Sequence, residues 1–177
     1  MTEKIIEQNV NETRRRDSES LAFLVVKIIF VLVLAAFLYF VYYGDEAKDI
    51  DLAEFETTLT SETEIKALMK KADDRDLMQF IGLNAADYDQ LIYYRNTKAL
   101  AVEELLIVKV GNQAQLSGVE EAVQKRTESQ ITAYSGYGPE QVAMLENAAL
   151  KKIGNYYFYC TAADADKYKE VFLNALQ

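Results

Sequence analysis

Residues 21–43 read LAFLVVKIIFVLVLAAFLYFVYY, a stretch of 23 residues with a single charge, Lys27. As a helix it would extend about 34 Å, enough to cross a hydrocarbon core of about 30 Å with some tilt. Lys27 lies near one end, where its ammonium can reach headgroups, so it does not mark an ion pathway. Tyr39, Tyr42 and Tyr43 gather at the other end, where amphipathic rings favour the interface. Arg14, Arg15 and Arg16 precede the run, whereas Asp45, Glu46, Asp49 and Asp51 follow it with only Lys48 among them. The positive-inside rule then predicts a cytoplasmic tail (1–20), a transmembrane helix (21–43) contacting membrane lipid, and everything from about Gly44 outside. A cleaved signal peptide would have a shorter apolar stretch and small residues at its exit. Here Ala35-Ala36 lies mid-run, the exit is aromatic, and no nearby cysteine could accept a lipid. The expectation is a retained single-pass signal-anchor in a cytoplasmic membrane. No G-x-x-x-G pattern proposes dimerisation of the helix.

The charge distribution supports that division. The net charge is −9, and from Gly44 onward there are 14 basic and 23 acidic residues, so the whole excess lies beyond the apolar run. Such a domain is repelled by phosphate backbones, and no nucleic-acid partner is expected. The chain has no histidine, which removes the commonest general base and metal ligand. Its one cysteine, Cys160, rules out an internal disulfide and reads as a small buried hydrophobe.

Residues 44–60 read as an acidic juxtamembrane connector in which Leu52, Phe55 and Leu59 have helical spacing. The folded domain is then expected over 61–177. Ser61-Glu62-Thr63-Glu64 fits a capping box, followed by an apolar face of Ile65, Leu68, Met69 and Ala72. A short helix from about Asp74 presents Leu77, Met78, Phe80 and Ile81, and Gly82 ends it. Residues 91–94 and 105–110 are rich in β-branched and aromatic side chains and predict an antiparallel strand pair. Ser117-Gly118-Val119-Glu120 matches a capping box ahead of a long helix bearing Val119, Val123, Gln130, Ile131 and Tyr134. Pro139 starts another helix, with Val142, Leu145, Ala148 and Ala149 as its buried face. Gly154-Asn155 is a turn, residues 156–161 a third strand, and Asp164 the cap of a last helix. That helix carries Tyr168, Val171, Phe172, Ala175 and Leu176 at i, i+3, i+4, i+7 and i+8. The expected fold class is α+β: a small, mostly antiparallel sheet of three or four strands with helices packed on one face.

Chemistry is harder to find. Without histidine the usual hydrolase triad is unavailable, and neither a phosphate loop nor a dinucleotide fingerprint occurs. Asp73/Asp74, Asp87/Asp89 and Glu103/Glu104 lack calcium-loop spacing and read as solvated charge. No catalytic residue, metal ligand or cofactor is assigned. Twelve tyrosines and no tryptophan are the unusual feature of the composition. Strand alternation sends Tyr156 and Phe158 to one face and Tyr157 and Tyr159 to the other, one set filling a core and the other free to be partly exposed. Arg95 and Arg126 could bind an anionic group or pair with a nearby carboxylate. Arg126, Tyr134, Tyr137 and Glu140 are the candidate partner- or ligand-binding residues.

Several motifs together resemble a known family. They are Val102-Glu103-Glu104-Leu105-Leu106-Ile107, Gln124-Lys125-Arg126, the Tyr134 to Pro139-Glu140-Gln141 hinge, and Lys152-Ile153-Gly154-Asn155-Tyr156. With them, residues about 60–177 resemble an uncharacterised domain-of-unknown-function family of Gram-positive bacterial surface proteins, many of them lipoproteins. The resemblance implies an envelope location and no established activity, with a helix here in place of a lipidated cysteine. The function expected is a non-catalytic binding or accessory module outside the cytoplasmic membrane, its partner another envelope or membrane protein. The alternative is an enzyme or small-ligand binder using tyrosine, arginine and carboxylates. A tail of about twenty residues is too short to hold a cytoplasmic signalling domain.

Overall fold

The computed structural model describes residues 23–38 and 47–177. The chain divides between Asp45 and Glu46 into two units, each described by itself. In the first, residues 23–38 are helical (α1) with exposed apolar side chains, Phe23 and Phe30 among them. Among the described residues no helix is long and apolar enough to cross a membrane. The flanks of the expected span, 21–22 and 39–43, and the tail 1–20 lie outside the described residues.

The second unit runs α2 (Leu52–Glu62), α3 (Ile65–Leu68), β1 (Lys70–Lys71), α4 (Asp74–Phe80), β2 (Gln90–Arg95), β3 (Glu104–Lys109), α5 (Leu116–Tyr134), α6 (Pro139–Glu146), β4 (Ala149–Ile153), β5 (Tyr156–Thr161) and α7 (Ala165–Ala175). Its strands form one antiparallel sheet in the order β1-β2-β3-β5-β4. The α+β class and the antiparallel sheet agree with the sequence reading. The strand count does not, because five strands are present. β1 has only two residues, both exposed lysines, and β4 is an edge strand reading Ala-Leu-Lys-Lys-Ile. Neither carries the β-branched signal that marks its neighbours. Ala149, expected on a helix, opens β4, since α6 stops at Glu146.

Helices cover both faces of the sheet rather than one. The cause is visible in β3, where Leu105, Leu106, Ile107 and Val108 are all buried. A strand apolar on both sides needs a cover on both sides. On the first face α2 and α7 bring Leu52, Phe55, Leu59, Val171 and Phe172 against Ile92, Leu105, Ile107 and Phe158. Phe172 stacks on Phe158 at 5.2 Å between ring centroids and meets Phe55 and Tyr156 edge-on at 5.8 and 6.0 Å. On the second face α4 and α5 bring Leu77, Leu116, Val119 and Val123 against Tyr93, Leu106, Val108 and Tyr159. Tyr157 and Tyr159 are therefore as buried as Tyr156 and Phe158, and neither set is left exposed.

Several local expectations move. Residues 44–60 are more than a connector, because α2 starts at Leu52 and contributes three core side chains. Asp51 caps it by accepting from the amides of Ala53 and Glu54. Ser61 lies in the last turn of α2 and donates to Thr58 O, so it caps nothing. α3 is one turn long, with Ile65 buried and Leu68 and Met78 of the following helix exposed. The working capping box ahead of α5 is Asn112 with Gln115, not Ser117 with Glu120. Asp164 occupies the N-cap position of α7, but its side chain makes no capping bond. Gly82 (φ +83°) takes the left-handed conformation after α4, as expected.

Candidate functional site

The register places four polar residues in one row across the end of the sheet. Lys70 opposes Arg95, Arg95 opposes Glu104, and Glu104 opposes Thr161. Directly opposed residues project to the same face, here the second one. Above this row α5 supplies Arg126, and α4 supplies Asp76 and Phe80.

Glu104 is the centre of the row and is only 2% exposed. Arg126 donates to it twice, Nη2 to Oε1 at 2.7 Å and Nε to Oε2 at 3.2 Å. The Tyr93 hydroxyl donates to Oε1 at 3.2 Å. The backbone amide of Glu104 bonds Thr161 Oγ1 at 3.0 Å. A bidentate guanidinium–carboxylate pair is the strong form of this contact, and breaking a buried pair costs about 3–5 kcal/mol because a bare charge remains. Burial, reinforced by the Glu104 charge, pushes the Tyr93 hydroxyl far above its ordinary value, and burial does the same for Tyr159. Both phenols therefore stay neutral. Glu104 has its oxygens committed to three donors, an arrangement that suits anchoring more than proton transfer.

Arg95 is built differently. Its guanidinium carbon lies 3.8 Å from the Phe80 ring centroid, and that of Arg126 lies 5.3 Å from the same ring. Asp76 Oδ2 is 4.0 Å from Arg95 Nη1, beyond hydrogen-bonding distance. Nε of Arg95 is buried with no acceptor among the described residues. A guanidinium stacked by its face keeps its donors at the edge, a geometry matched to carboxylate or phosphate.

A second polar cluster ties the start of the domain to the first face. Tyr156 Oη accepts from the Ile50 amide at 2.9 Å and donates to Asp49 Oδ1 at 3.0 Å. Lys109 pairs with Asp49 at 2.6 Å and donates to Ile50 O at 3.2 Å. The Lys109 and Tyr156 hydrogen bonds hold the Asp49 carboxyl below its ordinary value. Leu52 N bonds Gln90 Oε1 at 2.8 Å, and Lys48 N bonds Leu176 O at 3.0 Å.

Residues 61–162, more than half of the 177-residue chain, match the family described as Domain of unknown function (DUF4358). The chain belongs to this family. No curated protein and no solved structure matches it. The DUF4358 match contains all five strands and the whole charged row, from Lys70 to Thr161. Helix α7 and most of α2, which cover the first face, fall outside it.

Within the DUF4358 match the four residues singled out from sequence have different surroundings. Arg126 is engaged by Glu104. Tyr134 and Tyr137 do come together, with ring centroids 5.6 Å apart at the end of α5. Tyr137 is 64% exposed, and Glu140 is exposed in the first turn of α6. Gly138 makes the hinge possible, since a Cβ there would lie 2.8 Å from Gln141 Oε1 and 3.0 Å from Tyr134 Cδ1. Glu104, read from sequence as solvated charge, is instead buried and paired with Arg126, and sequence reasoning gave Tyr93 and Phe80 no part in a site. A signal for Glu104 existed: period-two alternation puts it on the side of Leu106 and Val108, a charge at an inward position of an apolar strand.

Proposed function

We propose that this DUF4358 protein is a single-pass, membrane-anchored protein of the bacterial cell envelope. In this reading residues 21–43 cross the cytoplasmic membrane, the N-terminus is inside, and the domain from about residue 47 is a non-catalytic binding or accessory module outside. The length and apolarity of 21–43, with its flanking charges, support the anchor and its orientation. The binding reading rests on one observation, the part-exposed, Phe80-stacked Arg95 guanidinium, which no carboxylate among the described residues approaches within hydrogen-bonding distance. It fits a carboxylate on another envelope or membrane protein. An enzyme or small-ligand binder is the weaker reading, because Glu104 and Arg126, the most buried charged pair described, neutralise each other.

The test is crosslinking in intact cells with four chains: native, one with residues 21–43 replaced by an unrelated anchor, Arg95→Ala and Arg95→Lys. Capture of the same partner by the first two and its loss from Arg95→Ala, with partial rescue by Arg95→Lys, is the expected result. Loss on replacing the native span would move recognition into the membrane. Unchanged capture by Arg95→Ala would remove Arg95 from the interface.

A further inference from the structure

An open groove of about 660 Å³ lies where the domain begins. Lys48 and Lys151 line it together with the apolar side chains of Ala47, Ile153, Leu173 and Leu176, and Gln177 lies at its end. We propose that this groove takes the headgroup of an anionic phospholipid from the membrane that anchors the chain. The inference rests on the anchored reading above and goes beyond it, giving the domain a defined face toward the bilayer.

Three observations converge. The first is chain length. Ala47 follows Tyr43, the end of the apolar run, by four residues. Four residues extend at most about 14 Å. A headgroup layer is about 5–8 Å thick on each side of the hydrocarbon core. In the anchored reading, Ala47 on the groove wall thus lies within about 14 Å of the hydrocarbon edge. The Lys48 amide is bonded to Leu176 O at 3.0 Å, which holds this segment against the end of α7.

The second is charge. From Gly44 onward acidic residues outnumber basic ones 23 to 14, so an anionic bilayer repels the domain as a whole. Among the described residues, none of the side chains lining the groove is acidic. Neither Lys48 nor Lys151 is in an ion pair among the described residues, whereas Lys71, Lys109, Lys152 and Lys169 each hold a carboxylate. Repulsion elsewhere and attraction at the two lysines would orient the domain.

The third is the wall itself. Ile153, Leu173 and Leu176 supply an apolar flank next to the two ammonium groups. That pairing suits a phosphodiester joined to a glycerol backbone, and a volume of about 300–1,000 Å³ is typical of a ligand site.

The experiment uses the full chain in nanodiscs of phosphatidylcholine, with or without phosphatidylglycerol, and reads amide exchange in residues 149–153 and 173–176. Phosphatidylglycerol is expected to slow exchange there several-fold. The effect should vanish in Lys48→Gln/Lys151→Gln, persist in Lys48→Arg/Lys151→Arg, and persist in Lys66→Gln/Lys125→Gln, a charge-matched control on α3 and α5. Slowing that survives the double glutamine variant, or no slowing in a chain that stays in the discs, overturns the groove proposal and leaves the anchor standing. A chain washed from the discs by alkaline buffer overturns the anchor first. Equal slowing by inorganic phosphate in neutral discs assigns the groove to free anions and overturns the lipid assignment.

Discussion

The two faces of the sheet are held down in different ways. Under α2 and α7 the contacts are apolar throughout, centred on Phe172 among Phe55, Tyr156 and Phe158. Polar groups on that side stand at the margin, as where the Tyr94 hydroxyl reaches Glu56 at 2.6 Å. Under α4 and α5 the apolar layer gives way at one end to Glu104, Arg126 and Arg95. Packing of the first kind depends on volume and tolerates many hydrophobic solutions. The second kind requires particular partners at particular distances, because a half-satisfied buried charge is worse than none. The DUF4358 match covers the second face entirely and leaves out most of the first face's cover. One face can therefore be read as the part that stabilises the sheet, and the other as the part that specifies it.

Substitutions can break that contrast. The largest effect is expected from Phe172→Ala, which empties the centre of the first face. A loss of about 3–5 kcal/mol should appear as a lowered denaturant midpoint. Arg126→Met should cost about 3 kcal/mol by stranding Glu104. The double variant Glu104→Leu/Arg126→Met should recover most of that loss or exceed the native stability by about 1–4 kcal/mol. A double variant no better than the single one would mean that the charged row is needed for folding itself. Tyr156→Phe leaves the first-face packing intact but removes the hydroxyl shared by Ile50 and Asp49, and should cost about 1–2 kcal/mol.

The smallest effect concerns pH. The folded Asp49 carboxyl lies below its ordinary value of 3.8, chiefly through the Lys109 hydrogen bond and next through Tyr156. A depressed folded pKa means that protons bind the unfolded chain more readily. Its contribution is therefore present above 3.8 and lost as pH falls through the lower folded value. Asp49→Asn should flatten the fall in stability across that acidic window. Because Asp49 is 83% exposed, the flattening should be slight.

How much of this could be read from the sequence differs between elements for physical reasons. β2, β3 and β5 announce themselves through tyrosine, isoleucine and valine, and α7 through its stripe from Tyr168 to Leu176. β4 hides because Lys151 and Lys152 interrupt it, and β1 because two lysines on an edge carry no pattern. The second helical layer was implicit in the uninterrupted apolar run of β3 and in β5, where all six residues are buried. Alternation alone assigns sides without saying that both sides are covered. Helix starts misled because Ser61 and Ser117 fit a cap by spacing, while Asp51 and Asn112 satisfy the free amides. The charged row was least legible, since Glu104 and Arg126 are 22 residues apart and meet only through the placement of α5 over β3.

The strap at the start of the domain also decides how it would respond to tension. Its bonds fall on alternate residues, Lys48 to Leu176, Ile50 to Tyr156 and Leu52 to Gln90. A pull from the N-terminal side loads them one after another, so the strap peels before any strand is sheared. Releasing residues 48–51 would free at most about 14 Å of chain while the sheet stays closed. Under such a load the domain would yield first at this seam.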